Sequence, residues 1–152
     1  MNVTVDLVNA SGDSAVPASE DFRYWTNAAM TCLHPERKSC ELSIRLMDEA
    51  ESASLNETWR GKQGSTNILS FPFSAHVPDT EAMLGDLAIC VPVVKLEARQ
   101  QNKNAKAHWA HLTVHGVLHL NGYDHENADD AAVMEKLEVK ILTRLGFDNP
   151  YA

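Results

Sequence analysis

The stretch Ala105-Lys-Ala-His-Trp-Ala-His-Leu-Thr-Val-His115-Gly-Val-Leu-His119-Leu-Asn-Gly122-Tyr-Asp-His125 decides how the rest of the chain is read. Residues 105–120 predict a helix, and Asn121-Gly122 stops it. Glycine adopts the left-handed conformation that ends helices without the clash a side chain brings. His115 and His119 stand at i and i+4, so both imidazoles lie on one helical face, about one turn apart. That spacing lets both reach one tetrahedral ion. The turn at Gly122 then brings His125 to a third corner. Imidazole nitrogen is a good zinc ligand at roughly 2.0–2.1 Å, and three protein ligands leave one position open. An open position marks a catalytic zinc rather than a closed structural one.

Downstream, Asn127 caps a predicted helix over 128–145, closed by Gly146. Upstream, Pro92 suits the first turn of a helix running to about residue 103. Asp86 to Val91 predicts a strand. Ile68 to Phe73 is a short apolar run in which Pro72 signals a sheet edge or a strand end. Glu49 to Trp59 predicts a helix ending before Gly61. Leu42, Ile44 and Leu46 alternate with Ser43 and Arg45, the pattern of a strand. Residues 17–33 predict a helix with Phe22, Trp25, Ala29 and Leu33 on one face. Residues 2–8 alternate through Val3, Val5 and Leu7. The elements follow no strict βαβ rhythm. The expectation is one α+β domain over residues 1–152: about four strands in a mixed sheet packed with helices, the histidine-bearing helix in the middle.

A chain of 152 residues can bury a real core, and 44% hydrophobic with 22% charged residues is an ordinary globular balance. No apolar run approaches the eighteen or so residues of a membrane span, and the N-terminus reads as a strand, not a signal peptide. Cys32, Cys40 and Cys90 form no CxxC pair and are odd in number, which predicts buried thiols in a reducing cytoplasm. The net charge of −8 argues against a general nucleic-acid coat. Charge is uneven, however. Lys95, Arg99, Lys103 and Lys106 recur at helical spacing, while Asp124 to Glu138 is acidic. Two solvated helix faces or a local track for a polyanion both fit. The basic stripe is expected to face the histidines.

The histidine spacing, with glycine at the eighth position, is that of the metzincin peptidases, HExxHxxGxxH. The glutamate that serves those enzymes as general base is Gly116 here, which disfavours a peptidase. The whole run His115-Gly-Val-Leu-His119-Leu-Asn-Gly122-Tyr-Asp-His125 closely resembles the signature of the YbeY family of bacterial metal-dependent endoribonucleases. Arg60-Gly-Lys, Thr66-Asn-Ile-Leu-Ser-Phe-Pro72 and Leu84-Gly-Asp-Leu-Ala-Ile89 resemble further blocks of that family. The resemblance implies an α+β fold, one Zn²⁺ on His115, His119 and His125, and single-stranded or ribosomal RNA as substrate. It further implies work in 16S rRNA 3′-end maturation and ribosome quality control, with ribosomal small-subunit proteins as partners, in the cytoplasm, without membrane or DNA.

RNA cleavage gathers negative charge at phosphorus, so a fixed cation beside the metal would help. Arg60 is the candidate: its planar fork matches two phosphate oxygens, and the matching family arginine is thought to be functional. No side-chain general base is evident. The attacker is either water or the RNA's own 2′-hydroxyl, and a 2′,3′-cyclic phosphate end would exclude direct water attack. His111 reads as a partly buried helix histidine one turn before His115. Asp124 either orients a ligand imidazole or caps the turn. Asp86 reads as turn chemistry ahead of a site role, and Trp59, Trp109 and Phe71, which could stack on bases, read first as core. Two other functions stay open: a ribosome assembly factor that zinc merely stabilises, and a zinc hydrolase of another substrate such as peptides.

Overall fold

Strand β1 (Asn2–Asn9) is followed by α1 (Ser19–Leu33), β2 (Ser39–Met47), α2 (Glu49–Arg60), β3 (Ile68–Pro72) and β4 (Met83–Cys90). Three helices close the chain: α3 (Val91–Gln100), α4 (Ala105–Leu120) and α5 (Ala128–Arg144). This is a computed structural model, which describes residues 1–73 and 82–152.

The four strands form one sheet in the order β1-β2-β4-β3. β1 and β4 both run parallel to β2, and β3 runs antiparallel to β4, so the sheet is mixed as expected. Alternation drives the strand assignments: Cys40, Leu42, Ile44 and Leu46 of β2 are all buried while Glu41 and Arg45 are exposed. Pro72 ends β3, the edge strand, where its missing N–H leaves no ladder bond unmade. β4 begins at Met83, before the predicted Asp86, and the pairing slips where Glu41 and Leu42 meet Met83 and Gly85. Gly85 has φ +138°, and a Cβ there would lie 2.2 Å from the Phe71 carbonyl oxygen. Only glycine fits the close approach of β3 to β4 at that point.

The main core lies on one sheet face, where Phe22, Trp25, Met30, Leu87, Leu118 and Ile141 pack together. Adjacent strand residues point to opposite faces. Met47, Leu69 and Ala88 accordingly form a second, smaller cluster that meets Leu55 of α2. α4 sits between α1, α3, α5 and the β3–β4 pair, and most of its residues are buried. A helix apolar nearly all round belongs inside a fold. At Gly116 it presses on the sheet so closely that a Cβ would come within 2.8 Å of both Ile68 and Leu87. The position that carries a glutamate in metzincins is therefore filled by neighbouring side chains.

Two expectations need correction. The predicted helix from Pro92 to about residue 103 stops at Gln100, and Asn104 caps a separate α4 by accepting from the Ala107 N–H at 3.2 Å. The basic stripe is thus broken between two helices. Lys95 pairs with Asp13 at 2.5 Å and Lys106 with Asp21 at 3.5 Å, both in the N-terminal third. Of the four cations, Lys103 lines the groove that holds the histidines. The second correction concerns tryptophan. Trp109 is core, with Phe22 edge-on at 6.0 Å, whereas Trp59 is 66% exposed. Cys40 and Cys90 are buried free thiols, each pushed up by burial, and Cys32 is half-buried.

Candidate metal centre

The end of α4 builds the centre. The Gly122 N–H donates to the His119 carbonyl at 3.0 Å and the Tyr123 N–H to the Leu118 carbonyl at 3.1 Å. These are the paired bonds of a glycine-terminated helix, with Gly122 at φ +91°. The turn does two things. It swings His125 back toward His115 and His119, whose ring centroids lie 5.3 Å and 5.0 Å away. It also places the Tyr123 carbonyl behind His119, where it accepts from Nδ1–H at 2.9 Å.

One ligand-capable atom from each of His115, His119 and His125 lies within 4.8 Å of the other two. The donor set fits a cation on a specific ground. His115 donates its Nδ1–H to Glu138 Oε1 at 2.5 Å, just as His119 donates to a carbonyl. In neutral rings both Nε2 atoms are then bare acceptors, yet they face each other at 3.0 Å. Two lone pairs at that distance repel unless a cation lies between or beside them. A tetrahedral ion with bonds of roughly 2.0–2.1 Å holds its ligand atoms about 3.3 Å apart, close to what is seen. Burial first, and His115 second, lower the His119 pKa and keep its lone pair free at neutral pH.

Glu138 of α5 supports this arrangement and is itself fully buried. Its Oε2 accepts from the Tyr151 hydroxyl and lies 3.4 Å from His111 Nε2, which is also 3.2 Å from the Tyr151 oxygen. Burial would raise this carboxyl, but hydrogen bonds from His111, His115 and Tyr151 outweigh it and hold the pKa at about 2. Partial desolvation of its hydroxyl, and the Glu138 anion that accepts from it, push Tyr151 far up, although the residue stays largely exposed. Glu138 was not distinguishable from a solvated acidic face by charge alone. The signal lay in periodicity: Met134, Ile141 and Leu142 are its buried neighbours on α5, four, three and four residues away.

A groove of about 980 Å³ runs from the histidines along β3 to the end of α2. Arg60 lines it, exposed and without a carboxylate partner among the described residues. Its position is well supported. Buried Ser52 exchanges hydrogen bonds with the backbone of Thr66, at 3.0 and 3.1 Å, and buried Asn56 donates to the Gly64 carbonyl at 2.9 Å. These bonds fold the segment after α2 back against it, and Gly61 in the left-handed conformation ends the helix beside Arg60. Glu97, which accepts from buried His108 Nε2 at 3.1 Å, also lines the groove. Asp124 Oδ1 accepts from the His125 N–H at 2.7 Å but is 3.9 Å from its Nδ1, so it caps the turn. Asp86 is exposed on β4.

These features define a class: an α+β protein with an open three-histidine cluster, able to hold a metal ion, in a groove beside an exposed arginine. The family described as Endoribonuclease YbeY matches residues 7–146, and the chain belongs to that family. It is 49% identical over 148 residues to Endoribonuclease YbeY of Methylococcus capsulatus, covering 97% of this chain and 95% of that one. It is 48% identical to Endoribonuclease YbeY of Nitrosococcus oceani, over 99% and 98% of the two chains. The solution structure of the Thermotoga maritima protein TM1509 matches with a TM-score of 0.58 over 94% and 92% of the chains. At 21% identity that likeness speaks to the fold alone.

Proposed function

We propose that this chain is a zinc-dependent endoribonuclease cutting single-stranded RNA, with ribosomal RNA, including the 16S 3′ end, as its substrate. The observation that carries the metal part is the pair of facing Nε2 atoms at 3.0 Å, completed by His125. The family carries the nuclease part. The whole chain acts as one unit, in the cytoplasm and in contact with the ribosomal small subunit. No helix among the described residues is long and apolar enough to cross a membrane.

His115, His119 and His125 would hold the ion. Bound there, zinc supplies Lewis acidity toward a phosphoryl oxygen and lowers the pKa of a coordinated water. Glu138 and the Tyr123 carbonyl fix the tautomers, so that each Nε2 points inward as an acceptor. Arg60 holds the phosphate through its fork of N–H donors and balances the charge that builds at phosphorus. Gly116 supplies no base, and the packing of Ile68 and Leu87 leaves no room for one.

The reading in which zinc mainly stabilises the fold is less well supported. The three histidines are half-buried or exposed, and none belongs to the apolar core. Chelated protein is therefore expected to stay folded and lose cleavage. The test is an unstructured RNA incubated with wild type and His119→Ala, each with and without chelator. Circular dichroism is recorded on the same samples. Cleavage by wild type alone, lost on chelation with the fold intact, supports the proposal. Equal cleavage by both proteins would assign the activity to a contaminant. Unfolding on chelation would favour the assembly-factor reading.

A further inference from the structure

We infer that Trp59, with Phe71 edge-on against it, is a stacking platform for a nucleobase of the RNA strand whose phosphate meets Arg60. The inference rests on the endoribonuclease reading and adds a base-binding subsite to it. The three tryptophans differ sharply. Trp25 and Trp109 are 1% and 3% exposed and serve the core, while Trp59 is 66% exposed at the end of α2. A single surface aromatic needs no explanation by itself. Three observations set this one apart.

Phe71 of β3 meets the Trp59 ring edge-on, with centroids 6.0 Å apart and planes at 75°. Such a contact orients the indole while leaving much of it in solvent. Trp59 also precedes Arg60 in the chain, and both line the groove that contains His115, His119 and His125. A strand whose phosphate reaches the arginine has a base within reach of the adjoining ring. Finally, the protein carries a net charge of −8. Overall electrostatics repel a polyanion, and of the basic stripe Lys103 lines this groove. Binding must then draw on contacts that do not depend on net charge. Base stacking on an aromatic face is such a contact, and every base has a π-face, so it is tolerant of sequence.

The two buried tryptophans make Trp59 a natural reporter. The zinc-loaded protein is titrated with short oligoadenylate, with an abasic oligomer of the same length and with an unstructured acidic peptide. Tryptophan fluorescence and fluorescence anisotropy of labelled ligand are read in parallel, on a timescale shorter than cleavage. The expected result is saturable quenching by oligoadenylate but not by the abasic oligomer. Trp59→Ala is expected to bind oligoadenylate about tenfold or more weakly and to raise KM with little change in kcat. Trp59→Phe keeps most of the binding. Zinc affinity stays unchanged in both variants, which shows that the centre is intact.

Oligoadenylate that binds Trp59→Ala as tightly as wild type would overturn the platform and leave the nuclease reading standing. Failure of every form to bind or cut RNA would overturn both. Quenching by the peptide alone would reassign the surface to a protein partner and also overturn the platform.

Discussion

The two ends of the groove are built on opposite principles. At the histidine end, the imidazoles of His115 and His119 are each held from behind by a protein acceptor, and Glu138 is sealed from water by α4, α5 and Tyr151. At the other end, Arg60 and Trp59 stand exposed on the last turn of α2. The difference follows from what each end must bind. An ion of fixed coordination demands ligand atoms placed to within a few tenths of an ångström. A flexible polyanion is met well enough by a long guanidinium and an open ring. Geometry is stored at one end and adaptability at the other.

The sharpest way to break that comparison is to show that the ends are not separable. Arg60→Ala is expected to lower kcat by about 10²–10³, the typical cost of losing a donor aimed at developing charge. The same variant should keep wild-type zinc affinity and unfold within about 0.5 kcal/mol of wild type, because Arg60 is a surface residue away from the core. Steady-state kinetics, chelator competition and urea unfolding on one preparation decide the matter. A parallel loss of zinc affinity would mean that Arg60 supports the centre and would erase the contrast.

Glu138→Gln probes the rigid end with a smaller effect. The amide keeps the shape of the side chain, but its nitrogen must face either His115 or the pair His111 and Tyr151. Zinc affinity is expected to fall by about 10- to 100-fold, the usual cost of losing a partner behind a ligand histidine. Saturating zinc should then restore most of the cleavage. Unchanged affinity would show that the Tyr123 carbonyl and helix geometry suffice to place the imidazoles. Loss of cleavage that zinc cannot restore would point to a further task for the carboxylate.

The same contrast explains what could be read from the chain in advance. His115, His119 and His125 were legible because a metal needs several ligands at spacings dictated by one helix and one turn, all within eleven consecutive residues. The four strands were legible from alternation and short apolar runs, and Pro72 left β3 either at the sheet edge or merely ending there. Their order in the sheet was not, because pairing joins residues such as Leu42 and Gly85 that no local pattern connects. Glu138 escaped for a related reason. It lies 23 residues from His115, in a run of acids whose other members meet solvent, and only the buried stripe of α5 marks it. The basic stripe misled in the opposite direction. Helical spacing continued across Gln101 to Asn104, where the chain turns, so residues that shared a face on paper do not share one in space. Exposure of Trp59 was invisible for the plainest reason: an aromatic next to a helix end reads the same whether the fold covers it or not.

The smallest expected effect concerns pH and a further residue of the groove lining. His108 is buried on α4, and burial lowers its pKa below the ordinary 6.5, more than the Glu97 carboxylate beside it raises it. Lys103 and His111 add to the lowering. The sign follows by linkage. Above 6.5 the ring is neutral whether the chain is folded or unfolded, and stability does not depend on it. As pH falls below 6.5, the unfolded chain takes up a proton that the folded one refuses, and stability is lost until the folded ring also titrates. His108→Gln keeps a donor for Glu97 and removes the titration. Urea unfolding of the chelated proteins between about pH 7.5 and about pH 5 should therefore give a shallower acid loss in the variant, with a small offset at neutral pH. Parallel curves would mean that His108 is hydrated rather than sealed. This part of the groove lining would then belong with the open Arg60 end, not with the rigid histidine end.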